Sequence, residues 1–142
     1  MRKMIALLPW GNLGLTICYD IRFPALYKSL AVAGADFITV PSAFTRVTGE
    51  AHWHVLLRAR AIETGAFILA PAQGGLHECG RETFGATLAV SPWGEIIAET
   101  GREPGTLMVS LDRAEVDKAR RRIPALRHGR RVALSRYDEI AT

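Results

Sequence analysis

What most constrains the fold of this chain is the abrupt change of pattern at residue 18. Gly14-Leu15-Thr16-Ile17-Cys18 is a short apolar run enriched in β-branched side chains, as a buried strand requires. Tyr19 and Asp20 end it. Asp20 can cap a helix and Pro24 is tolerated in a first helical turn, and Leu26, Leu30, Ala31 and Ala33 then recur at helical spacing up to Gly34. Strand, sharp turn and helix follow one another within a few residues.

The alternation continues. Residues 36–40 read as a second buried strand stopped by Pro41, and 42–49 as a loop of polar and aromatic residues. Residues 50–64 read as a helix whose stripe is Val55, Leu56, Ala59 and Ile62, interrupted by Arg58 and Arg60 and capped by Gly65. Residues 67–70 supply a third buried strand. The order β-α-β-α-β predicts an α/β fold with a largely parallel sheet. Beyond it, 84–90, 96–99 and 106–111 read as strands, the first two joined by the turn Ser91-Pro92-Trp93-Gly94-Glu95. Asp112 is placed to cap a last helix over 113–122, closed by Pro124. No repeat or long linker divides residues 1–142, so one unit is expected.

Composition excludes several classes. The 142 residues are 49% hydrophobic and 23% charged, as in an ordinary globular domain. No apolar run reaches the roughly 18 residues of a membrane span, and the apolar stretch near Met1 is too short for a secretory signal, so a cytoplasmic address is the default. Cys18 and Cys79 have neither CxxC spacing nor neighbouring ligands, which indicates no disulfide framework and no metal site. The formal charge of +4 is concentrated in residues 118–131. Without interleaved aromatic residues or a binding motif, that run reads as a solvated helix and tail rather than a nucleic-acid footprint.

Cys18 has two readings. A cysteine in a strand is commonly inert core. At a strand-to-helix turn, however, a side chain is lifted out of the sheet, a helix N-terminus favours thiolate, and the backbone N–H of Tyr19 is placed to donate to an oxyanion.

The second reading is strengthened by a resemblance. Gly11-Asn12-Leu13-Gly14-Leu15-Thr16-Ile17-Cys18-Tyr19-Asp20-Ile21-Arg22-Phe23-Pro24 resembles the nucleophile signature of the nitrilase (carbon-nitrogen hydrolase) superfamily. The likeness continues through Pro41-Ser42-Ala43-Phe44, Thr48-Gly49-Glu50-Ala51-His52-Trp53, Leu57-Arg58-Ala59-Arg60-Ala61-Ile62-Glu63 and Pro92-Trp93-Gly94-Glu95. Arg122-Ile123-Pro124-Ala125-Leu126-Arg127-His128 is similar to the end of the Nit branch, which includes ω-amidase and deaminated glutathione amidase.

The resemblance implies the C-terminal half of a four-layer α-β-β-α sandwich, associating as a homodimer through helices near residues 50–64. It implies amide hydrolysis through a cysteine thioester, with no metal or organic cofactor and a small linear amide bearing a carboxylate as substrate. The family's catalytic Glu and Lys lie in upstream motifs without counterparts here. Of that triad only Cys18 carries over, and Glu50, Glu63 and Lys28 match family positions with other roles. The isolated chain is therefore expected to be nearly inactive, with another chain able to supply the first half. Nitrile or N-carbamoyl hydrolysis, and a non-catalytic fragment or interaction module, are the alternatives. Arg22, Phe44 and Thr48 match positions associated with the substrate carboxylate, although Arg22 could instead form an ion pair with Asp20 or Asp36. His52, Trp53 and His54 read as a packing or interface cluster rather than catalytic groups, His54 standing where the family often has Glu. Gly75 and Ala86 replace the Cys and His that close relatives often carry at the pocket rim.

Overall fold

A computed structural model describes residues 4–130. Its centre is a six-stranded sheet in the order β1-β2-β3-β4-β7-β8, built from Met4–Leu8, Gly11–Leu15, Phe37–Thr39, Phe67–Ala70, Leu88–Val90 and Ile96–Glu99. Strands β2, β3 and β4 run parallel, as the alternating pattern predicts, and Leu13, Phe37 and Phe67 sit side by side in register. The flanking pairs β1/β2, β4/β7 and β7/β8 are antiparallel. A separate hairpin pairs β5 (Gly74–Leu76) with β6 (Glu82–Phe84).

Helices α1 (Pro24–Val32) and α2 (Arg46–Thr64) cover one face of the sheet. Tyr27, Leu30, Trp53, Leu57 and Ala61 pack there against Ile38, Val40, Ile68, Leu88 and Val90. The other face is covered chiefly at one end. There α3 (Ala114–Arg122) inserts Val116 against Phe37 and Phe67, whose rings stack at 5.5 Å, with Leu13 and Leu111 alongside. A short helix α4 (Ala125–His128) follows. One sheet with α1 and α2 over one face and only α3 at one end of the other matches half of a four-layer sandwich, in line with the expected fold class.

Several local expectations are corrected. Helix α2 begins four residues earlier than predicted, because Thr45 caps it by accepting the Thr48 N–H at 3.4 Å. Its buried stripe is Gly49, Trp53, Leu57, Arg60, Ala61 and Thr64, while Val55 is 67% and Ile62 56% exposed. Burial of the polar members is possible because their donors are satisfied. Trp53 Nε1 donates to the Ala86 carbonyl at 2.8 Å, and Arg60 Nε to that of Ile21 at 2.9 Å. The strand predicted over 84–90 is broken by consecutive left-handed residues, Gly85 (φ 75°) and Ala86 (φ 60°), so its two ends join different sheets.

Residues 106–111 form no strand. They keep an in-out alternation, with Met108 86% exposed between half-buried Leu107 and Val109, but no neighbouring strand pairs with them among the described residues. Helix α3 starts at Ala114 with Arg113 as its N-cap, and Asp112, one residue before the cap, accepts the Ala114 N–H at 2.9 Å. The basic run is less solvated than expected. Arg120 donates to the carbonyls of Ala35 and Thr64, at 2.6 and 3.1 Å, and Arg122 lies over the Trp93 ring. Arg131, the end of that run, lies outside the described residues.

Candidate active site

Open parallel sheets place ligands beyond the carboxyl ends of their strands. Here the chain leaves β2 through Ile17-Cys18, β3 through Pro41-Ser42-Ala43 and β4 through Pro71-Ala72-Gln73, and these three exits line one cleft of about 570 Å³. Thr87 and Gly105 complete its wall. The exits are stitched together by backbone hydrogen bonds. Cys18 donates to the Pro41 carbonyl at 2.8 Å, Ser42 to that of Pro71 at 3.0 Å, and Gln73 to that of Ser42 at 2.9 Å. Of these residues only Cys18 was singled out from sequence for a role. The others could have been found by reading the two or three positions after each parallel strand.

Cys18 is half-buried and has φ 45°, a left-handed conformation that costs an L-residue of this type roughly 1 kcal/mol or more. The Asp20 carboxylate helps to hold it by accepting the Ile17 N–H at 2.9 Å. Below the turn, Thr16 Oγ1 donates to the Thr39 carbonyl at 2.7 Å and lies 2.8 Å from the Tyr27 hydroxyl. Burial pushes the Tyr27 phenol up to about 12, so it stays neutral and rigid beneath the site at ordinary pH.

The element after Cys18 differs from the prediction. Cys18–Arg22 is a five-residue 3-10 turn, and α1 begins only at Pro24 with Phe23 as its cap, so Asp20 braces the turn rather than capping the helix. Such a turn is too short for the dipole of a full helix, and thiolate stabilisation from that source falls away. Tyr19, whose N–H was the expected oxyanion donor, is exposed and does not line the cleft, and its N–H has no backbone partner outside the turn among the described residues. Among the described residues the cleft lining contains no carboxylate, amine or imidazole.

Arg22 ends the same turn, and no described carboxylate pairs with it; Asp20 serves the Ile17 N–H and Asp36 pairs with Arg113 at 3.5 Å. The structural ion pair considered above is therefore not formed. The guanidinium carbon instead lies 5.5 Å from the Tyr19 ring centre and 5.4 Å from that of Phe44, and Nη2 donates to His52 Nδ1 at 3.4 Å. Arg22 and Phe44 are thus brought together. Thr48 is not in this contact set, its hydroxyl lying 2.8 Å from that of Thr45, and none of the three lines the cleft itself. His54 is engaged elsewhere, 2.8 Å from Glu99, while Trp53 is core.

Beside the cleft, Arg46, Glu50, Arg102 and Glu82 alternate in a closed ring of ion pairs from 2.9 to 3.4 Å. The Arg46 hydrogen bond is the first cause holding the Glu50 carboxyl below its ordinary range. The backbone of Arg102 lies directly on Gly74, where a Cβ would come within 2.8 Å of its carbonyl. Arg102 in turn precedes Gly105 at the cleft wall. Glu63 is bound to Arg60, and neither Glu50, Glu63 nor Lys28 reaches the cleft. Among the described residues no cluster of three His, Cys, Asp or Glu side chains could hold a metal, and no helix is long and apolar enough to cross a membrane.

Comparison with known proteins places this geometry in context. The family model described as carbon-nitrogen hydrolase matches residues 3–121. A deaminated glutathione amidase from Yersinia enterocolitica is 49% identical over 125 residues, covering 88% of this chain and 44% of the relative. Its Homo sapiens counterpart is 46% identical, covering 86% of this chain and 37% of the relative. The chain thus spans less than half the length of these relatives. Among solved structures, the C. elegans NitFhit protein superimposes with TM-score 0.83 at 43% identity, over 86% of this chain and 30% of that one. An amidase from Nesterenkonia, whose structure shows Michael addition of acrylamide at the active site cysteine, superimposes with TM-score 0.71 at 29% identity, over 87% of this chain and 48% of that one.

Proposed function

Since this chain belongs to the carbon-nitrogen hydrolase family, we propose that it is the nucleophile-bearing half of an amidase, active only when the rest of the family domain completes the cleft. The observation that carries this reading is Cys18. It is held in a left-handed turn at the carboxyl ends of the parallel strands and opens into a cleft to which the described residues contribute no carboxylate, amine or imidazole able to move its proton. In the completed enzyme the Cys18 sulfur adds to an amide carbonyl, and the Tyr19 N–H donates to the oxyanion. Collapse forms the thioester and breaks the C–N bond, and the leaving nitrogen takes a proton to depart as ammonia. Water then cleaves the thioester to a carboxylic acid and regenerates the thiol. A glutamate and a lysine from the complementary half supply proton transfer and the cationic oxyanion partner.

The proposed substrate is a small linear amide with a carboxylate that pairs with Arg22, whose remaining donors meet no acceptor among the described residues. Phe44 buttresses that guanidinium, and Thr48, on the first turn of α2, completes the proposed substrate-binding set although it does not touch the other two. A cytoplasmic homodimer, dimeric as the family resemblance implies, is the proposed form of the complete enzyme. A non-catalytic module is the second reading, favoured by the same lack of a base among the described residues of the cleft. Ammonia release from monoamides of dicarboxylic acids separates the two. The 142-residue chain should release essentially none, and the chain joined to a complementary half bearing the Glu and Lys motifs should turn over and lose all activity on Cys18→Ala. Continued silence of the joined protein would favour the module, and equal rates with and without the added half would refute the division of labour.

A further inference from the structure

Arg22 is confined in two different ways. The rings of Tyr19 and Phe44 limit where its planar group can lie, but neither sets how the fork of N–H donors is turned within that plane. His52, thirty residues along the chain and in the second turn of α2, makes its hydrogen bond. A guanidinium only donates, so His52 Nδ1 must be the acceptor and carry no proton in this contact. Other charged groups nearby are engaged: Asp20 by the Ile17 N–H, and Arg60 by the Ile21 carbonyl and Glu63.

We propose that His52 is a positioning residue for a carboxylate subsite at Arg22: by taking one Nη2 hydrogen it turns the rest of the fork toward an anionic group of the substrate. The proposal rests on the assignment of Arg22 made above and adds the residue that orients it. Four residues along a 3-10 turn rise about 8 Å, so the subsite suits a carboxylate several bonds from the carbonyl attacked by Cys18. Bidentate pairing needs two N–H vectors aligned together, which a freely turning guanidinium offers only part of the time. His52 thereby acts on selectivity for charged over neutral ligands.

The test uses covalent labelling rather than turnover, so it can be performed on this chain with Cys79→Ser removing the second thiol. Alkylation rates of Cys18 are compared for two maleimides of equal length, one with a carboxylate tail and one with the same tail amidated. A preference for the carboxylate of roughly two- to fivefold is expected, typical of a partly exposed charge pair. His52→Leu should bring the preference to near unity with the neutral reagent's rate unchanged. His52→Asn, whose side-chain oxygen can occupy the place of Nδ1, should keep it. Retention of the preference in both variants, or its loss in both, would overturn the proposal. Separately, a preference that survives Arg22→Gln would overturn the assignment of Arg22 and the role of His52 with it, which distinguishes the two failures.

Discussion

The φ of 45° at Cys18 sets two demands against each other, since a glycine would relax the backbone and a thiol is needed there. Cys18→Gly is expected to raise the unfolding free energy by about 0.5–1 kcal/mol while removing the nucleophile, and Cys18→Ala should bring no such gain. Denaturant midpoints at constant slope would measure both. Ala86 (φ 60°) supplies a control at a position without chemistry, where Ala86→Gly should stabilise by a similar amount. Gly49 behaves oppositely. Helix propensity alone favours alanine in α2 by about 1 kcal/mol, but the new Cβ would lie 2.2 Å from Phe84 Cβ. Overpacking of that severity typically costs about 1–3 kcal/mol, so Gly49→Ala should be destabilising despite its better propensity. A gain in stability would mean that β6 yields freely.

At the scale of elements, α1 is tied to β2 through the Tyr27 hydroxyl and Thr16. Because burial raises the folded-state phenol to about 12 from an ordinary 10, its contribution is complete below pH 10 and is lost as pH rises toward 12. The loss amounts to roughly 2.7 kcal/mol at about 1.36 kcal/mol per unit. Unfolding curves between pH 9 and 12 should show this slope in the parent chain and not in Tyr27→Phe; equal slopes would assign the alkaline loss elsewhere. The parallel strands and α1 were legible in the sequence because each is a short apolar run between strong stop signals. The rotation of α2 was not. Its aliphatic stripe of Val55 and Ile62 points outward, and the inward stripe depends on Trp53 and Arg60 finding distant carbonyls, which no local pattern records. Cys18 stood out as the residue at the turn, whereas the rest of the cleft arises from three chain segments that meet only in the fold.

Across the whole molecule, parallel strands are normally covered on both faces, yet here the helices α1 and α2 cover one and α3 only part of the other. On β2 the side chains opposite the helices are Leu13, Leu15 and, just beyond the strand, Ile17, and exposure increases along that line to 39% at Leu15 and 65% at Ile17. Leaving such a face in water forfeits roughly 25 cal/mol for each Å² that a partner could cover, and faces of this kind drive association. The isolated chain should therefore self-associate with rising concentration and bind a hydrophobic dye, measured by sedimentation velocity and dye fluorescence. Ile17→Lys should weaken both without lowering the thermal midpoint, because the side chain it replaces is already mostly in water. Addition of the complementary half of the family domain should abolish dye binding in the parent chain, since that half would cover the surface. A chain that stays monomeric and binds no dye across the concentration range would show that this face needs no partner, and the cleft beside it would then have to be regarded as complete without a base.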